Sequence, residues 1–320
     1  MLNFLWNDLY FADTHSDFVT VCDNEYFDNP SCHLDLKRVR EYMNLQVMAF
    51  FEKPEKKPWL EWQKICRLYD DFYQSVLSFA GVDILKNGKQ LLDTERSWLV
   101  LALEAVDSFT WFDDKKYFLD QLTKMNFKIL GLFWNNDNWA GSGADSNLYH
   151  NVDLGLTKQG KRFLQLFAEY NIVLDLAHSS KRSFWQAVKI HQKPFMVSHT
   201  CCMELCTHRR NLTDEQLKKI GESGGYVGIA MYPFFLNGTN KADLQDVAEH
   251  LNHAIRIAGV DAVGLGTDFD GIEVLPTGVT GCESLPMLCG ALQKKGFSYA
   301  EIEKVMGKNL RRFLLENLKE

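Results

Sequence analysis

The segment DTHSD at 13–17 places a histidine and an aspartate two residues apart, directly after the short apolar run LYFA. In a β-strand alternate side chains point to the same face, so His15 and Asp17 would lie side by side at the strand's end. Imidazole and carboxylate groups are common metal ligands. The segment is compatible with half of a metal site or with a solvated turn. Further metal-type residues at the ends of other strands would favour the metal site.

Polar groups of the same kind end other apolar runs of the chain. Glu104 ends the third run, His178 the fifth, His199 the sixth and Asp268 the eighth. If the runs are strands of one barrel, their C-terminal ends meet at a single mouth, where barrel enzymes carry their active sites. A lone histidine at a strand end is usually structural, and we expect that of His33, His150, His191, His208, His250 and His253.

Three histidines and three carboxylates in one cavity are costly without a cation, because neighbouring carboxylates repel and raise one another's pKa. Two divalent metal ions would remove that cost. The ligand count fits two ions, with two ligands from the first strand, one bridging carboxylate and two histidines. Imidazole and carboxylate without thiolate suit zinc and also allow manganese, cobalt or iron. We therefore predict two divalent ions per chain, with zinc as the first candidate.

The apolar runs have the composition of parallel strands that are covered on both faces. They lie at 9–15, 45–52, 97–105, 127–135, 171–178, 194–200, 225–232 and 262–269. Helical periodicity predicts helices at 59–80, 116–125, 157–170 and 242–258, and capping boxes begin two more at Thr213 and Ser298. This alternation predicts a (β/α)8 TIM barrel in one domain over residues 1–320. A doubly wound sheet is the alternative, but no GxGxxG follows the first strand.

Composition limits the possible partners. The net charge is −7, the pI is about 5.8, and no dense Lys/Arg run occurs, which argues against a nucleic-acid groove or a polybasic membrane surface. No stretch approaches the roughly 18 continuous apolar residues of a membrane-spanning helix. The first residues do not resemble a signal peptide. We therefore predict a cytoplasmic protein whose eight cysteines are reduced.

The motifs resemble those of the membrane dipeptidase (renal dipeptidase) family, peptidase family M19 of the amidohydrolase superfamily. DxHxD alone would be a weak signal, whereas DLAH followed at this separation by SH and RRN is specific. The likeness covers nearly the whole chain, through DTHSD (13–17), HLDLKRVRE (33–41), the Glu of LALEA, DLAHSS (175–180), SHTCCMELCTHRRNLTDEQL (198–217), GLGTDFDG (264–271) and GKNLRRF (307–313). It implies a TIM barrel of the metallo-dependent hydrolase type.

The resemblance also implies a metal-binding role for each matching residue. His15 and Asp17 correspond to ligands of the first metal ion, and Glu104 corresponds to the bridging carboxylate. His178 and His199 correspond to ligands of the second ion.

Other matching residues are implied to handle the substrate. Asp268 corresponds to the general acid and base, and Arg210 to the arginine that binds the substrate's C-terminal carboxylate. Tyr232 corresponds to a pocket tyrosine. Trp134 stands where the family often has a histidine and is assigned to substrate binding, and the family's EGGH reads EAVD at 104–107. For Arg209 we expect a surface ion pair.

The expected function is zinc-dependent hydrolysis of dipeptides, including those with a D residue at the C-terminus, by hydroxide that two metal ions activate. Another amidohydrolase reaction, such as deamination or lactone hydrolysis, is the nearest alternative. It usually comes with HxH on the first strand and a single metal ion. A non-catalytic binding protein on this barrel would show broken ligands, and all five are present. The expected partner is a dipeptide substrate, and a homodimer is compatible with the sequence.

Overall fold

Eight parallel strands close into a barrel in the computed structural model, which describes residues 9–53, 58–107, 114–146 and 152–318. The described residues form nine strands, of which all but β3 belong to the barrel: β1 (Ala12–Asp13), β2 (Leu45–Phe50), β3 (Val82–Ile84), β4 (Ser97–Leu103), β5 (Phe127–Gly131), β6 (Val173–Asp175), β7 (Met196–Thr200), β8 (Tyr226–Ile229) and β9 (Val263–Leu265). Around the ring the order is β1, β2, β4, β5, β6, β7, β8, β9, and β9 pairs with β1. The predicted TIM barrel is confirmed.

Each predicted apolar run contains one strand of the ring, and the strand is shorter than its run. The longest ladder joins β2 and β4, from Leu45 opposite Trp98 to Phe50 opposite Leu103. The sequence pattern did not predict β3, which lies outside the ring and pairs with 97–99 of β4. Three residues are too few for a periodic pattern to reveal.

Helices surround the barrel, and four of them match the predicted helical segments to within three residues at each end. Their bounds are α1 Phe18–Val21, α2 Leu36–Tyr42, α3 Pro58–Leu77, α4 Lys115–Lys124, α5 Lys158–Phe167, α6 Lys181–His191, α7 Asp214–Glu222, α8 Pro233–Leu236, α9 Leu244–Ala258, α10 Leu285–Lys294, α11 Tyr299–Glu303 and α12 Asn309–Asn317. Short 3₁₀ helices cover Gly88–Leu92, Val260–Ala262 and Cys282–Ser284, and a π-helical turn covers Lys304–Lys308.

Both predicted capping boxes begin helices. Thr213 N donates to Gln216 Oε1 at 3.1 Å before α7. Before α11, Glu301 N donates to Ser298 Oγ at 3.3 Å and Ser298 N donates back to Glu301 Oε2 at 2.9 Å. These bonds satisfy backbone donors that the first helical turn leaves without partners.

Apolar side chains fill the barrel from its N-terminal end. Leu310, Phe313 and Leu314 of α12 belong to one buried cluster with strand residues such as Val47 and Val100. A larger apolar layer lies between the strands and the surrounding helices. Because α12 closes the N-terminal end, functional side chains are expected at the C-terminal end of the strands.

All eight cysteines are free thiols. Burial raises the pKa of the Cys289 thiol to about 12, so this group is neutral at physiological pH. None of the described helices combines the length and apolar character that crossing a membrane requires.

Candidate metal centre and substrate cleft

The C-terminal end of the barrel brings together the six residues that the sequence predicted at the ends of strands. Each lies at or just after the end of its strand, and each is only 2–8% exposed. Three groups of three are formed, and within each group the possible ligand atoms lie within 4.8 Å of one another. The groups are His15, Asp17, Glu104; Glu104, His178, His199; and His15, His199, Asp268.

Direct contacts join the three histidines of the cluster to one another and to the carboxylates. His178 Nε2 lies 3.1 Å from Glu104 Oε1 and 2.7 Å from His199 Nε2. His15 Nε2 lies 3.4 Å from Asp17 Oδ2, and its ring centroid is 3.8 Å from that of His199. With Asp268 in the third group, imidazoles from three strand ends and carboxylates from three therefore lie around one small volume.

Polar partners outside the cluster orient two of the imidazoles. His178 Nδ1 donates to Asn135 Oδ1 at 2.8 Å, which leaves the Nε2 lone pair of a neutral ring facing the cluster. His199 Nδ1 lies 2.8 Å from Ser198 Oγ. The sequence pattern assigned no role to Asn135 or Ser198. Their only signal was that polar residues follow apolar runs at both places.

Two further aspartates hold the strand ends together. Asp13 accepts hydrogen bonds from Gln46 Nε2 at 2.7 Å and from Thr267 N at 2.7 Å. Asp175 accepts from Ala177 N at 2.9 Å and from Ser198 N at 3.0 Å. Because these acceptors join neighbouring strands, they fix the relative positions of the strand ends that carry the candidate metal ligands.

The charges in this cluster strongly perturb one another. Burial, with the negative charge of Asp17, raises the pKa of Glu104 well above its usual value. Burial raises the pKa of Asp268 to about 7, against the opposing charge of His15. Burial lowers the pKa of His199 well below its usual value. Buried carboxylates at this density are disfavoured as anions unless a cation compensates them.

The donor set fits a divalent metal centre. His15 Nε2, whose contact with Asp17 Oδ2 at 3.4 Å lacks hydrogen-bond geometry, and Asp17 Oδ1 are buried and make no hydrogen bond with any described residue. A buried polar atom without a partner costs about 1–3 kcal/mol, and a cation coordinated by these atoms would remove that cost. Imidazole nitrogen and carboxylate oxygen, without thiolate, are the ligands that zinc and related divalent ions accept.

A glycine lets the loop after β9 approach the carboxylates. A Cβ atom at Gly271 would collide with the side chains of Asp17 and Asp268. Only a residue without a side chain fits this close approach. Asp268 itself adopts a left-handed backbone conformation, with φ of 64°.

Arg210 is a buried cation at the edge of the cluster. Its side chain lines a cleft of about 370 Å³ together with Glu104 and Asp268. Nη2 donates to His199 O at 3.2 Å, and the guanidinium lies 5.6 Å from the centre of the Phe235 ring. Nε makes no hydrogen bond within the described part of the chain. Burial lowers the Arg210 pKa to about 10, so the group stays charged at neutral pH and retains an unused donor.

Arg209, the neighbouring arginine, has a different environment. It forms an ion pair with Asp145, and its side chain is 43% exposed. The predicted surface ion pair of Arg209 is confirmed.

Trp134 and Tyr232 both line the cleft. The Trp134 ring lies 5.4 Å from that of Phe51, and the Tyr232 ring lies 4.9 Å from that of Phe235. Sequence reasoning missed Phe51 and Phe235 because aromatic residues are common at many buried positions. The doubled Phe that ends the second apolar run was the only signal for Phe51.

The other histidines that the structure describes lie apart from the cluster. His250 accepts from Cys202 N at 3.0 Å and donates to Leu236 O at 2.8 Å. His253 Nε2 lies 2.7 Å from Asp214 Oδ1. None of the metal-type groups found among the described residues includes His33, His191, His208, His250 or His253. His150 lies outside the described residues.

Comparison with known proteins assigns the family. Residues 2–319 match the sequence profile of the membrane dipeptidase family, peptidase family M19. The chain belongs to this family. An uncharacterised protein in the pqqA 5′ region of Klebsiella pneumoniae is 31% identical over 222 residues, which are 67% of this chain and 82% of that protein.

Two solved structures of metallopeptidases share the fold. Dipeptidase AC, of family M19, superposes with a TM-score of 0.87 at 21% identity over 98% of this chain and 99% of that one. A metallopeptidase from Rhodobacter sphaeroides superposes with a TM-score of 0.85 at 20% identity over 97% and 99%. The family membership confirms the predicted enzyme class, a metal-dependent hydrolase that acts on dipeptides.

Proposed function

We propose that this M19 family member hydrolyses dipeptides with two zinc ions held at the mouth of the barrel. One observation carries the proposal: Glu104 belongs both to a group with His15 and Asp17 and to a group with His178 and His199. A carboxylate shared by two ligand groups is what a bridged pair of ions requires. In the proposal the first group holds one ion and the second group holds the other.

Bound divalent ions would lower the pKa of a water molecule and polarise the scissile carbonyl. Asp268 stands beside His15 and His199 and lines the same cleft. We assign it the proton transfer. Its carboxylate accepts the proton of the attacking water and delivers that proton to the nitrogen of the departing amine as the C–N bond breaks.

Arg210 would bind the C-terminal carboxylate of the substrate through its guanidinium. This contact limits substrate length, because a longer peptide has no carboxylate at the same distance from the cluster. Tyr232 and Trp134 would form side walls of the same cleft.

Tolerance of a D residue at the C-terminus follows from how the ends are recognised. A contact with the C-terminal carboxylate recognises the end of the substrate and makes few demands on the side chain of its C-terminal residue. The Rhodobacter sphaeroides metallopeptidase that shares this fold was solved with a phosphinate mimic of L-Ala-D-Ala. We propose that L,D-dipeptides are among the substrates.

The test combines metal analysis with a substrate panel. Zinc-loaded protein should contain two zinc ions per chain by mass spectrometry and should hydrolyse L,L- and L,D-dipeptides. No turnover of any dipeptide by metal-replete protein would contradict the proposal. One tightly bound ion per chain, with turnover of a lactone or an aminopurine, would favour the alternative amidohydrolase reactions.

Two variants separate the assigned roles. Asp268→Asn should keep both metal ions and lower kcat by about 10²–10⁴-fold. Arg210→Ala should raise KM by about 10- to 100-fold, because a charged hydrogen bond to the substrate is lost. Arg209→Ala is the matched control, since that neighbouring cation already pairs with Asp145. Equal KM values for the two arginine variants would remove Arg210 from the binding model.

A cytoplasmic location and assembly as a homodimer stay predictions. Cell fractionation tests the first, and light scattering of the purified protein tests the second.

A further inference from the structure

One side of the cleft is an aromatic surface. Phe51 follows β2 and Trp134 follows β5, and their rings lie 5.4 Å apart at 36°. Both side chains are half-buried and line the cleft. Thr20 Oγ1 lies 3.3 Å from both N and O of Phe51 and holds that backbone in place. Phe51 and Trp134, called the aromatic wall below, thus present a fixed apolar surface to the cleft.

The aromatic wall lies across the barrel from Arg210. In the ring, the strand between β2 and β5 is β4, which leads into Glu104. The strand opposite β4 in this ring of eight is β8. β8 leads into Phe235, whose ring lies 5.6 Å from the Arg210 guanidinium. A ligand held by Arg210 and reaching across the metal-binding residues therefore extends toward the aromatic wall.

We propose that the aromatic wall binds the side chain of the substrate's N-terminal residue and thereby selects dipeptides whose first residue is large and apolar. The inference rests on the proposed function, in which Arg210 holds the C-terminal carboxylate. Two extended residues span only about 7 Å. With the carboxylate fixed on one side of the cleft, the N-terminal residue is the one that reaches the other side.

The physical basis of the selection is burial of apolar surface against two aromatic faces. An aromatic side chain placed there loses contact with water and gains ring contacts of favourable geometry. A glycine at the same substrate position leaves the wall exposed to water. The two dipeptides differ only in the side chain of the first residue. Their difference should therefore appear in kcat/KM, and the metal content of the protein should be the same for both.

Matched dipeptides test the selection in the zinc-loaded wild-type protein. We expect kcat/KM for Phe-Ala to exceed that for Gly-Ala about tenfold, which corresponds to about 1.4 kcal/mol. We also expect Phe-Ala to exceed Ala-Phe, because only the first residue reaches the wall. Each ratio is taken within one preparation, so the fraction of active enzyme cancels.

Variants assign the selection to the wall. Phe51→Ala and Trp134→Ala should each lower the Phe-Ala to Gly-Ala ratio to about threefold or less, and Trp134→Phe should retain most of it. Phe27→Leu is the control, because Phe27 forms a similar tilted pair with Phe79, 5.7 Å apart at 35°, outside the cleft lining. The control should leave the ratio unchanged.

The outcomes separate this inference from the proposed function. Equal kcat/KM for Phe-Ala and Gly-Ala, or a preference for Ala-Phe, would overturn the role of the wall while dipeptide turnover upheld the proposed function. An unchanged ratio in both alanine variants would overturn it as well. No turnover of any dipeptide by metal-replete protein would overturn both.

Discussion

The two ends of the barrel are built from opposite kinds of side chain. At the N-terminal end, α12 inserts the fully buried side chains of Leu310, Phe313 and Leu314. At the C-terminal end, six ionisable side chains are 2–8% exposed and lie within reach of one another. Apolar burial stabilises the first end, whereas buried charges destabilise the second until a ligand compensates them. Stability and chemistry are therefore separated along the barrel axis.

The largest effect should follow from Glu104→Gln at the polar end. The change removes the carboxylate shared by both ligand groups. We expect kcat/KM to fall by more than about 10⁴-fold, or roughly 5 kcal/mol of transition-state stabilisation. Thermal unfolding of the metal-free variant should occur at or above the wild-type temperature, since a buried carboxylate is gone. Activity within tenfold of wild type would show that the bridging assignment is wrong.

At the apolar end, Phe313→Ala should have the opposite signature. Phe313 is fully buried and contacts the Tyr226 ring at 6.0 Å. Truncation of a buried Phe typically costs about 3–5 kcal/mol of unfolding free energy. Urea unfolding measures that loss, and kcat per folded molecule should stay at the wild-type value. A variant that lost activity without losing stability would contradict the separation of the two ends.

The polar end was easier to predict from the sequence than the apolar one. Histidines and carboxylates that follow apolar runs are rare, so His15, Glu104 and His199 stood out. The pattern of α12, with Leu310 and Leu314 four residues apart, predicts a buried helix face but not which surface it covers. Phe51 and Gly271 could not be recognised either, because their roles depend on distances between separate loops.

Asp268→Asn should change how the stability of the metal-free protein depends on pH. The folded-state pKa of Asp268 is about 7, above its ordinary value, so ionisation above that pH disfavours the folded state. The variant should be more stable than wild type by about 2–4 kcal/mol at pH 8. The difference should shrink as pH falls below 7 and vanish below about pH 3, where wild-type Asp268 is protonated in both states. Urea unfolding at several pH values measures it, and a difference independent of pH would contradict the prediction.

The smallest effect should come from Asn135→Ala, just outside the ligand cluster. Asn135 Oδ1 accepts from His178 Nδ1 at 2.8 Å and so fixes the tautomer that presents Nε2 to the cluster. Loss of such an outer partner typically lowers metal affinity by about 10- to 100-fold. We expect that loss in zinc competition with a chelator, and a smaller loss of kcat at saturating zinc.

Asn138→Ala is the matched control for Asn135→Ala. Asn138 belongs to the same loop, and its Nδ2 donates to Leu132 O at 2.8 Å without touching a ligand residue. It should leave zinc affinity unchanged even if it lowers stability. If both variants bound zinc as tightly as wild type, the hydrogen bond to His178 would be a consequence of the fold with no effect on the metal centre. A weaker zinc affinity in Asn135→Ala alone would show that residues next to the candidate ligands also contribute to metal binding at the polar end.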